Sequence, residues 1–170
     1  VVYDPFQDEL WTAIKNGPAL LNHRPIRVSK RAKLADTIVS IGFAKSRSNT
    51  ERGLPYFAWL VRRVRKVRMF GAAALGLAYV ASGRLDAYIE RGVSLWDVAA
   101  GGLIIERAGG KFWTQPVPGK RNAIDVGLAG GELVLVESGH AAGERGLAER
   151  GDDLVDEEAL LAHDEIDGRG

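Results

Sequence analysis

The sequence has 170 residues, is 46% hydrophobic, contains no cysteine and carries a formal net charge of +1. Without cysteine there is no disulfide, thiolate metal site or cysteine nucleophile, so any bound metal must have oxygen or histidine ligands. No apolar run reaches the roughly 20 residues of a membrane helix and no signal-peptide pattern opens the chain, so we expect a soluble, cytoplasmic protein without a membrane partner.

The first 28 residues predict two strands that pair with each other. Residues 1–3 and 9–14 are strand-like, a turn at Asp4-Pro5 separates them, and an Asn-Gly-Pro turn at 16–18 closes the second. Because the chain starts inside a strand, we expect a preceding segment to be missing.

Residues 29–64 predict a helical turn, a strand and a helix. Ser29 is suited to cap a short helical turn over 29–34, and the β-branched residues of 37–43 favour a strand. Residues 50–64 have helical spacing in spite of one glycine and one proline.

From residue 66 onward, strands and helices alternate, which is typical of a layered α/β domain. Residues 67–70 predict a strand, and Gly71 opens a helix at 72–81 that is apolar nearly all round and ends before Gly83. The strand that follows starts at residue 85 and ends at Gly92. It has an apolar face and a face with two carboxylates and a phenol: Asp86, Tyr88 and Glu90.

The last part of the chain predicts one more helix and two strands. The helix begins at Ser94 and runs to Ala108. Residues 111–115 and 133–136 predict strands on either side of a Pro/Gly-rich loop. Acidic residues and glycines crowd residues 140–170, where we expect a frayed tail.

Two junctions carry the candidate chemistry. At residues 70–73 and 90–97 a strand leads directly into a helix, whose first turn directs free backbone N–H groups into the crevice at the strand ends. Such crevices are the usual ligand sites of open α/β sheets. Arg68, Glu90 and Asp97 lie near these junctions.

Each candidate residue also has a purely structural interpretation. Asp97 suits a magnesium ligand, but with Ser94 it also forms a capping-box pattern. Glu90 can accept hydrogen bonds from a polyol or pair with a neighbouring arginine at the surface. Gly71 allows a ligand close to the backbone, but a tight turn explains it equally well.

Five cations crowd residues 62–68 and alternate there with valines. This run is either a solvated helix face or strand edge, or a surface that follows the phosphates of nucleic acid. The alternation with valines favours the first interpretation, so no nucleic-acid partner is expected. The three histidines show no i,i+4 spacing, which disfavours a histidine-based metal site.

Four segments together resemble the inositol monophosphatase family. They are Arg-Met-Phe-Gly-Ala-Ala-Ala at 68–74, Gly-Arg-Leu-Asp-Ala-Tyr-Ile-Glu at 83–90, Trp-Asp-Val-Ala-Ala-Gly at 96–101 and Glu-Arg-Ala-Gly-Gly at 106–110. The third segment matches the family's second signature, and the similarity extends over roughly residues 1–140.

The resemblance implies the C-terminal part of a five-layered αβαβα sandwich, with a mixed sheet flanked by helices. Residues 29–139 would form the C-terminal α/β domain, and residues 1–28 would supply two strands to the sheet of a missing N-terminal domain. Residues 140–170 would form an acidic, glycine-interrupted tail that departs from the family pattern.

The resemblance also implies a magnesium-dependent hydrolase of small phosphate esters that uses metal-activated water. Asp97 would bind a magnesium ion, and Glu90 would bind substrate hydroxyls. The residues that line the same pocket are Gly71, Ala72 and Ala73, and those that support the site are Arg68 and Trp96. Relatives are often dimers, so a homodimer is compatible with this assignment.

The sequence also departs from the family. Its paired glutamates and its D-P-x-D-G-T motif, which bring the other metal carboxylates, are absent from these 170 residues. Position 72 is alanine where many relatives have serine or threonine. The alternative is therefore a non-catalytic binding or scaffold module that retains the family's C-terminal fold.

Overall fold

A computed structural model of the chain describes residues 1–43, 46–116 and 122–130, without the side chains of Arg52 and of 123–130. All of these residues belong to one compact unit, Val1–Val134. The first four strands are β1 (Val2–Asp4), β2 (Glu9–Thr12), β3 (Leu20–Leu21) and β4 (Arg24–Pro25). The next are β5 (Ile38–Phe43), β6 (Lys66–Arg68), β7 (Ala87–Ser94), β8 (Thr114–Pro116) and β9 (Ala123–Gly130). The helices are α1 (Arg47–Val61), α2 (Ala73–Ala81) and α3 (Leu95–Arg107), and a 3₁₀ turn spans Leu34–Asp36.

The first sheet is antiparallel, with the order β1-β2-β3-β4. Its first two strands confirm the predicted pair, although β2 ends at Thr12 rather than at Ile14. The other two strands form a hairpin whose turn residues, Asn22 and His23, both have positive φ angles of 46° and 66°. Such angles give the two-residue turn that matches strand twist. Strands of two residues carry too little alternation to be recognised in the sequence.

The second sheet is mixed, with the order β6-β5-β7-β9-β8. Strands β6, β5 and β7 run parallel, whereas β9 pairs antiparallel with both β7 and β8. Helices lie between the parallel strands in sequence, as crossover connections require. This arrangement confirms the predicted α/β class with a mixed sheet flanked by helices.

Two apolar clusters cover the two faces of the second sheet. On one face, Val39 and Ile41 of β5 pack with Leu60 of α1. On the other, Leu77 of α2 and Ile104 of α3 pack in one cluster that also contains Trp11 of the first sheet. The described residues thus form four layers, which are α1, the second sheet, α2 with α3, and the first sheet.

A buried carboxylate fixes the start of β5 against β7. Asp86 is 2% exposed, and its Oδ2 accepts a hydrogen bond of 2.7 Å from the backbone N–H of Ile38. Arg31 pairs with the same carboxylate at 3.0 Å. A buried charge requires such partners, so Asp86 has a structural role in the sheet.

Several predicted boundaries are wrong. Ser29 does not cap a helical turn, because its Oγ accepts from the N–H of Arg31 in a local turn that competes with a helix. Helix α1 spans Arg47–Val61 rather than 50–64, because Ser46 caps it by accepting from the N–H of Asn49 at 3.1 Å. Strand β7 does not end at Gly92 but continues to Ser94 through an irregularity in its pairing with β9.

The strands after α3 also differ from expectation. The predicted strand at 111–115 corresponds to β8, which is shorter and spans Thr114–Pro116. Strand β9 was not predicted, because four small residues (Ala123, Gly127, Ala129 and Gly130) obscure its apolar alternation. The predicted strand at 133–136 and the tail at 140–170 lie outside the described residues. Within the described part of the chain, no helix is long and apolar enough to cross a membrane.

Candidate functional site

A small crevice lies where the parallel strands of the second sheet end. The cavity measures about 120 Å³ and is formed by the C-terminal half of β5, by residues 69–72 between β6 and α2, and by Tyr88 and Glu90 of β7. A cavity at the carboxyl ends of parallel strands, in front of a helix N-terminus, is the usual ligand position in open α/β sheets. The structure therefore brings the two predicted junctions to one edge of the sheet.

Glu90 reaches across from β7 to β5. It pairs with Gly42 in the sheet, and a Cβ atom built on Gly42 would lie 2.4 Å from the Cδ of Glu90. The glutamate carboxylate therefore occupies the space above the glycine. The hydroxyl of Tyr88 donates a hydrogen bond to Oε2 of Glu90, so this carboxylate is held against the floor of the crevice.

The environment of Glu90 raises the pKa of its carboxyl group. Burial is the largest cause, the hydrogen bond from Tyr88 opposes it, and the negative charge of Asp97 adds to it. The pKa of the Tyr88 hydroxyl is also raised, first by burial and then by Glu90 and Asp97. Asp97 is therefore close enough to influence both groups electrostatically.

Asp97 occupies the first turn of α3, and its side chain is exposed. Ser94, the N-cap residue of α3, makes no side-chain capping hydrogen bond. Among the described residues, nothing donates a hydrogen bond to the Asp97 carboxylate. The capping-box interpretation of Asp97 is wrong for this structure, and the carboxylate remains accessible to solvent and ions.

The three predicted pocket residues lie at the start of α2. Gly71 has a φ of +69°, which is the left-handed conformation that favours glycine at this turn. Ala72 is the N-cap of α2 and offers no side-chain hydrogen bond. The first intrahelical bond runs from the N–H of Gly76 to the carbonyl of Ala72, so the amides of Ala73 and the next two residues have no intrahelical partner.

Neither of the two supporting residues, Arg68 and Trp96, makes a side-chain hydrogen bond to Glu90 or Asp97 among the described residues. Arg68 is exposed and donates to the carbonyl of Val67 at 3.1 Å, not to Glu90 or Asp97. Trp96 is 68% exposed. Of the predicted site residues, Gly71, Ala72 and Glu90 line the crevice. Arg68, Ala73, Trp96 and Asp97 are not among its lining residues.

The described residues supply one ligand for a magnesium ion rather than a complete metal site. Asp97 supplies a carboxylate oxygen, the type of ligand that magnesium prefers. Within residues 1–43, 46–116 and 122–130, however, no three His, Cys, Asp or Glu side chains cluster to hold a metal. Most of the coordination shell of an ion bound by Asp97 would consist of water molecules or of ligands from other residues.

Among the lining residues that the sequence did not indicate as part of a site are Ser40 and Gly42 of β5. Gly42 provides the space for Glu90, and Ser40 lies on the same face of β5, two residues earlier. In the sequence, both lie within an ordinary β-branched strand. The sequence does show a serine and a glycine at alternate positions of an otherwise apolar strand. It does not show which strand pairs with this one in the sheet.

Comparisons with known proteins identify the family and relatives of this chain. The profile of the inositol monophosphatase family matches residues 1–154. The Nus factor SuhB of Xylella fastidiosa is 45% identical over 111 residues, which cover 65% of this chain and 40% of that protein. An inositol-1-monophosphatase of Mesorhizobium japonicum is 40% identical over 137 residues, which cover 79% of this chain and 51% of that protein.

A solved structure shows the same arrangement of elements. The inositol monophosphatase of Anabaena (Nostoc) sp. PCC 7120 superposes with a TM-score of 0.69 at 40% sequence identity. The superposition covers 77% of this chain and 54% of that protein. The chain thus spans about half the length of the proteins that it matches.

Proposed function

This chain belongs to the inositol monophosphatase family, and on that premise we propose that it supplies the substrate-binding side and one metal ligand of a phosphomonoesterase site. The supporting observation is that Glu90 lines the crevice and that Asp97 is close enough for its negative charge to raise the pKa of the Glu90 carboxyl group. Glu90 is held at the floor of the crevice by Tyr88, and Asp97 stands exposed and uncapped at the head of α3.

In this proposal Asp97 binds a magnesium ion. The bound ion would lower the pKa of a water molecule and offset negative charge on the phosphoryl group. The role of Asp97 is to hold that ion beside the pocket, and its lack of a capping hydrogen bond leaves both carboxylate oxygens available. No side chain of this chain is needed as a covalent nucleophile.

Glu90 and the start of α2 would hold the organic part of the substrate. The Tyr88 hydroxyl binds Oε2 of Glu90, which leaves Oε1 to accept from a substrate hydroxyl. The uncapped amides that follow Ala72 are donors at the same crevice. A hydroxyl both donates and accepts, so this combination favours a polyol or sugar phosphate.

We also propose that the protein is located in the cytoplasm.

Calorimetric titration with Mg²⁺ tests the proposal. The 170-residue protein should bind Mg²⁺ weakly, because one carboxylate leaves most of the octahedral shell to water. Asp97→Ala should remove this binding, whereas Asp36→Ala, at another exposed aspartate, should retain it. For the same reason, turnover of inositol phosphate, fructose bisphosphate or histidinol phosphate should be negligible.

Two results would contradict the proposal in different ways. Equal Mg²⁺ binding by the protein and by Asp97→Ala would remove Asp97 as a metal ligand. Robust turnover that Asp97→Ala abolishes would keep the metal role, but it would show that these 170 residues suffice for catalysis.

The second candidate is a non-catalytic binding or scaffold module. It is favoured by the relatives named Nus factor SuhB, and by the lack of a three-ligand metal cluster among the described residues. A reading frame that extends upstream through D-P-x-D-G-T would favour the enzyme. In this alternative, Mg²⁺ binding would be indifferent to Asp97.

A further inference from the structure

Ser40 is a buried hydroxyl without a partner. It is 1% exposed, and its Oγ makes no hydrogen bond within the described part of the chain. An unpaired buried hydroxyl is unfavourable because it has lost its hydrogen bonds to water, and native proteins retain few of them. Thr37, another buried hydroxyl near the start of the same strand, donates to the carbonyl of Leu34 at 2.7 Å. The contrast calls for an explanation specific to Ser40.

The position of Ser40 connects it to the crevice. Ser40 is one of the residues that line the cavity, together with Ala72 and Glu90. A Cβ atom built on Gly76 would lie 3.8 Å from its Oγ, and the N–H of Gly76 bonds to the carbonyl of Ala72. Ser40 therefore lies beneath the first turn of α2, whose N-cap, Ala72, has no hydroxyl of its own.

We propose that Ser40 is a specificity-determining residue for the hydroxyl-bearing part of the ligand. A rotation about χ1 turns Oγ from its unpaired position toward the cavity, where it bonds a ligand hydroxyl that Glu90 also binds. Ser40 thereby supplies the side-chain hydroxyl that position 72 lacks. This inference rests on the proposed function, since it concerns the same ligand and the same crevice.

The unpaired state explains how one hydroxyl gives selectivity. A ligand with a hydroxyl at this point satisfies Ser40, whereas an apolar ring leaves it unpaired and gains nothing from it. Discrimination against a ligand that lacks a hydrogen-bonding group is strong when the protein's own polar group would stay unsatisfied. Ser40 should therefore cost stability in the free protein and contribute affinity only for hydroxylated ligands.

The test compares two phosphates in the presence of Mg²⁺. Myo-inositol 1-phosphate carries ring hydroxyls, and cyclohexyl phosphate carries none. Titration of the 170-residue protein followed by NMR should show that Ser40→Ala weakens binding of inositol phosphate about fivefold to tenfold, as loss of one hydrogen bond does. Binding of cyclohexyl phosphate should not change. Ala72→Ser in the Ser40→Ala background should restore part of the loss.

Thermal unfolding provides the second measurement. Ser40→Ala should raise Tm by about 2–4 °C, because it removes an unpaired buried hydroxyl. Thr37→Val, the matched control, should lower Tm and leave both affinities unchanged, since its hydroxyl has a partner. Opposite effects of Ser40→Ala on stability and on affinity are not expected of a purely structural residue.

The outcomes separate this inference from the proposed function. If the wild type prefers inositol phosphate and Ser40→Ala keeps that preference, the inference is wrong and the proposed function stands. If Ser40→Ala lowers the affinity for both phosphates equally, the inference is also wrong. If the wild type binds neither phosphate and Asp97→Ala has no effect, the proposed function fails, and the inference fails with it.

Discussion

The carboxylate of Glu90 fills the space that a side chain at position 42 would need. Any side chain at position 42 meets the end of the glutamate, with Cδ at 2.4 Å and Oε2 at 2.5 Å from a Cβ atom. The end of a flexible side chain can move at little energetic cost. The glycine therefore determines the position of the carboxylate more than the stability of the sheet.

Gly42→Ala should accordingly separate function from stability. The added methyl group displaces the Glu90 carboxylate, and affinity for inositol phosphate should fall on the order of tenfold, the loss of one charge-assisted hydrogen bond. The free energy of unfolding should change by less than about 1 kcal/mol. As the control, Gly76→Ala meets the buried Tyr88 ring at 2.8 Å and should destabilise by about 1–3 kcal/mol. Unchanged affinity in Gly42→Ala would contradict this role.

The raised pKa of Glu90 predicts how stability depends on pH. Its usual value is 4.5, and burial raises the pKa in the folded protein, so the folded state binds the proton more tightly than the unfolded state. The stability contributed by this proton is complete below pH 4.5 and is lost as pH rises through the raised pKa.

Urea unfolding of Glu90→Gln against the wild type measures this effect. The amide stays neutral, so the wild type should lose stability relative to the variant as pH rises from below 4.5 toward neutrality. Tyr88→Phe should move this loss to higher pH, because the hydrogen bond that it removes lowers the Glu90 pKa. If the difference in unfolding free energy between the wild type and Glu90→Gln did not change with pH, Glu90 would not be buried in the folded protein.

At the scale of elements, helices α1 and α3 both have serine as their N-cap residue, but the two serines make different contacts. Ser46 caps α1 through its Oγ, which accepts from the N–H of Asn49 at 3.1 Å. Ser94 stands at the same position of α3 and makes no such bond. The hydroxyl of Ser94 therefore adds nothing to the start of α3, and the negative charge in its first turn comes from Asp97.

Alanine at these two caps should have unequal effects. Ser46→Ala should destabilise by about 1 kcal/mol, the usual contribution of an N-cap, whereas Ser94→Ala should cost less than about 0.5 kcal/mol. Chemical denaturation of both variants under the same conditions measures the difference. Equal losses would mean that Ser94 does cap α3 in solution, and the availability of Asp97 would then have to be reconsidered.

At the scale of the whole molecule, the site lies at the carboxyl ends of β5 and β7, two neighbouring parallel strands inside the second sheet. Helix α3 packs so closely on α2 that a Cβ atom at Gly101 would lie 2.5 Å from the Cβ of Leu77. The residues before α2 line the crevice together with the end of β5, and α3 follows directly after β7. The first sheet is joined to α2 by Arg84, which pairs with Glu9 at 2.5 Å and lies 5.3 Å from the centre of the Tyr79 ring.

The order of the helices and strands with clear sequence patterns could be predicted from the sequence alone. Helix α2 was predicted because its residues are apolar nearly all round, and α3 because it starts at Ser94 and ends before a Gly-Gly pair. The common face of Asp86, Tyr88 and Glu90 follows from the alternation of a strand. The resemblance identified the family, because its motifs are local strings of residues. Assignment of residues 1–28 to another domain's sheet stays a prediction.

Only the tertiary structure decided which groups meet at the crevice. Gly42 and Glu90 are separated by 47 intervening residues, and their contact depends on β5 and β7 being neighbours in one register. The unpaired hydroxyl of Ser40 and the uncapped carboxylate of Asp97 likewise depend on the packing of α2 and α3. Local periodicity determines which face a side chain occupies, but strand order and helix packing determine what it faces.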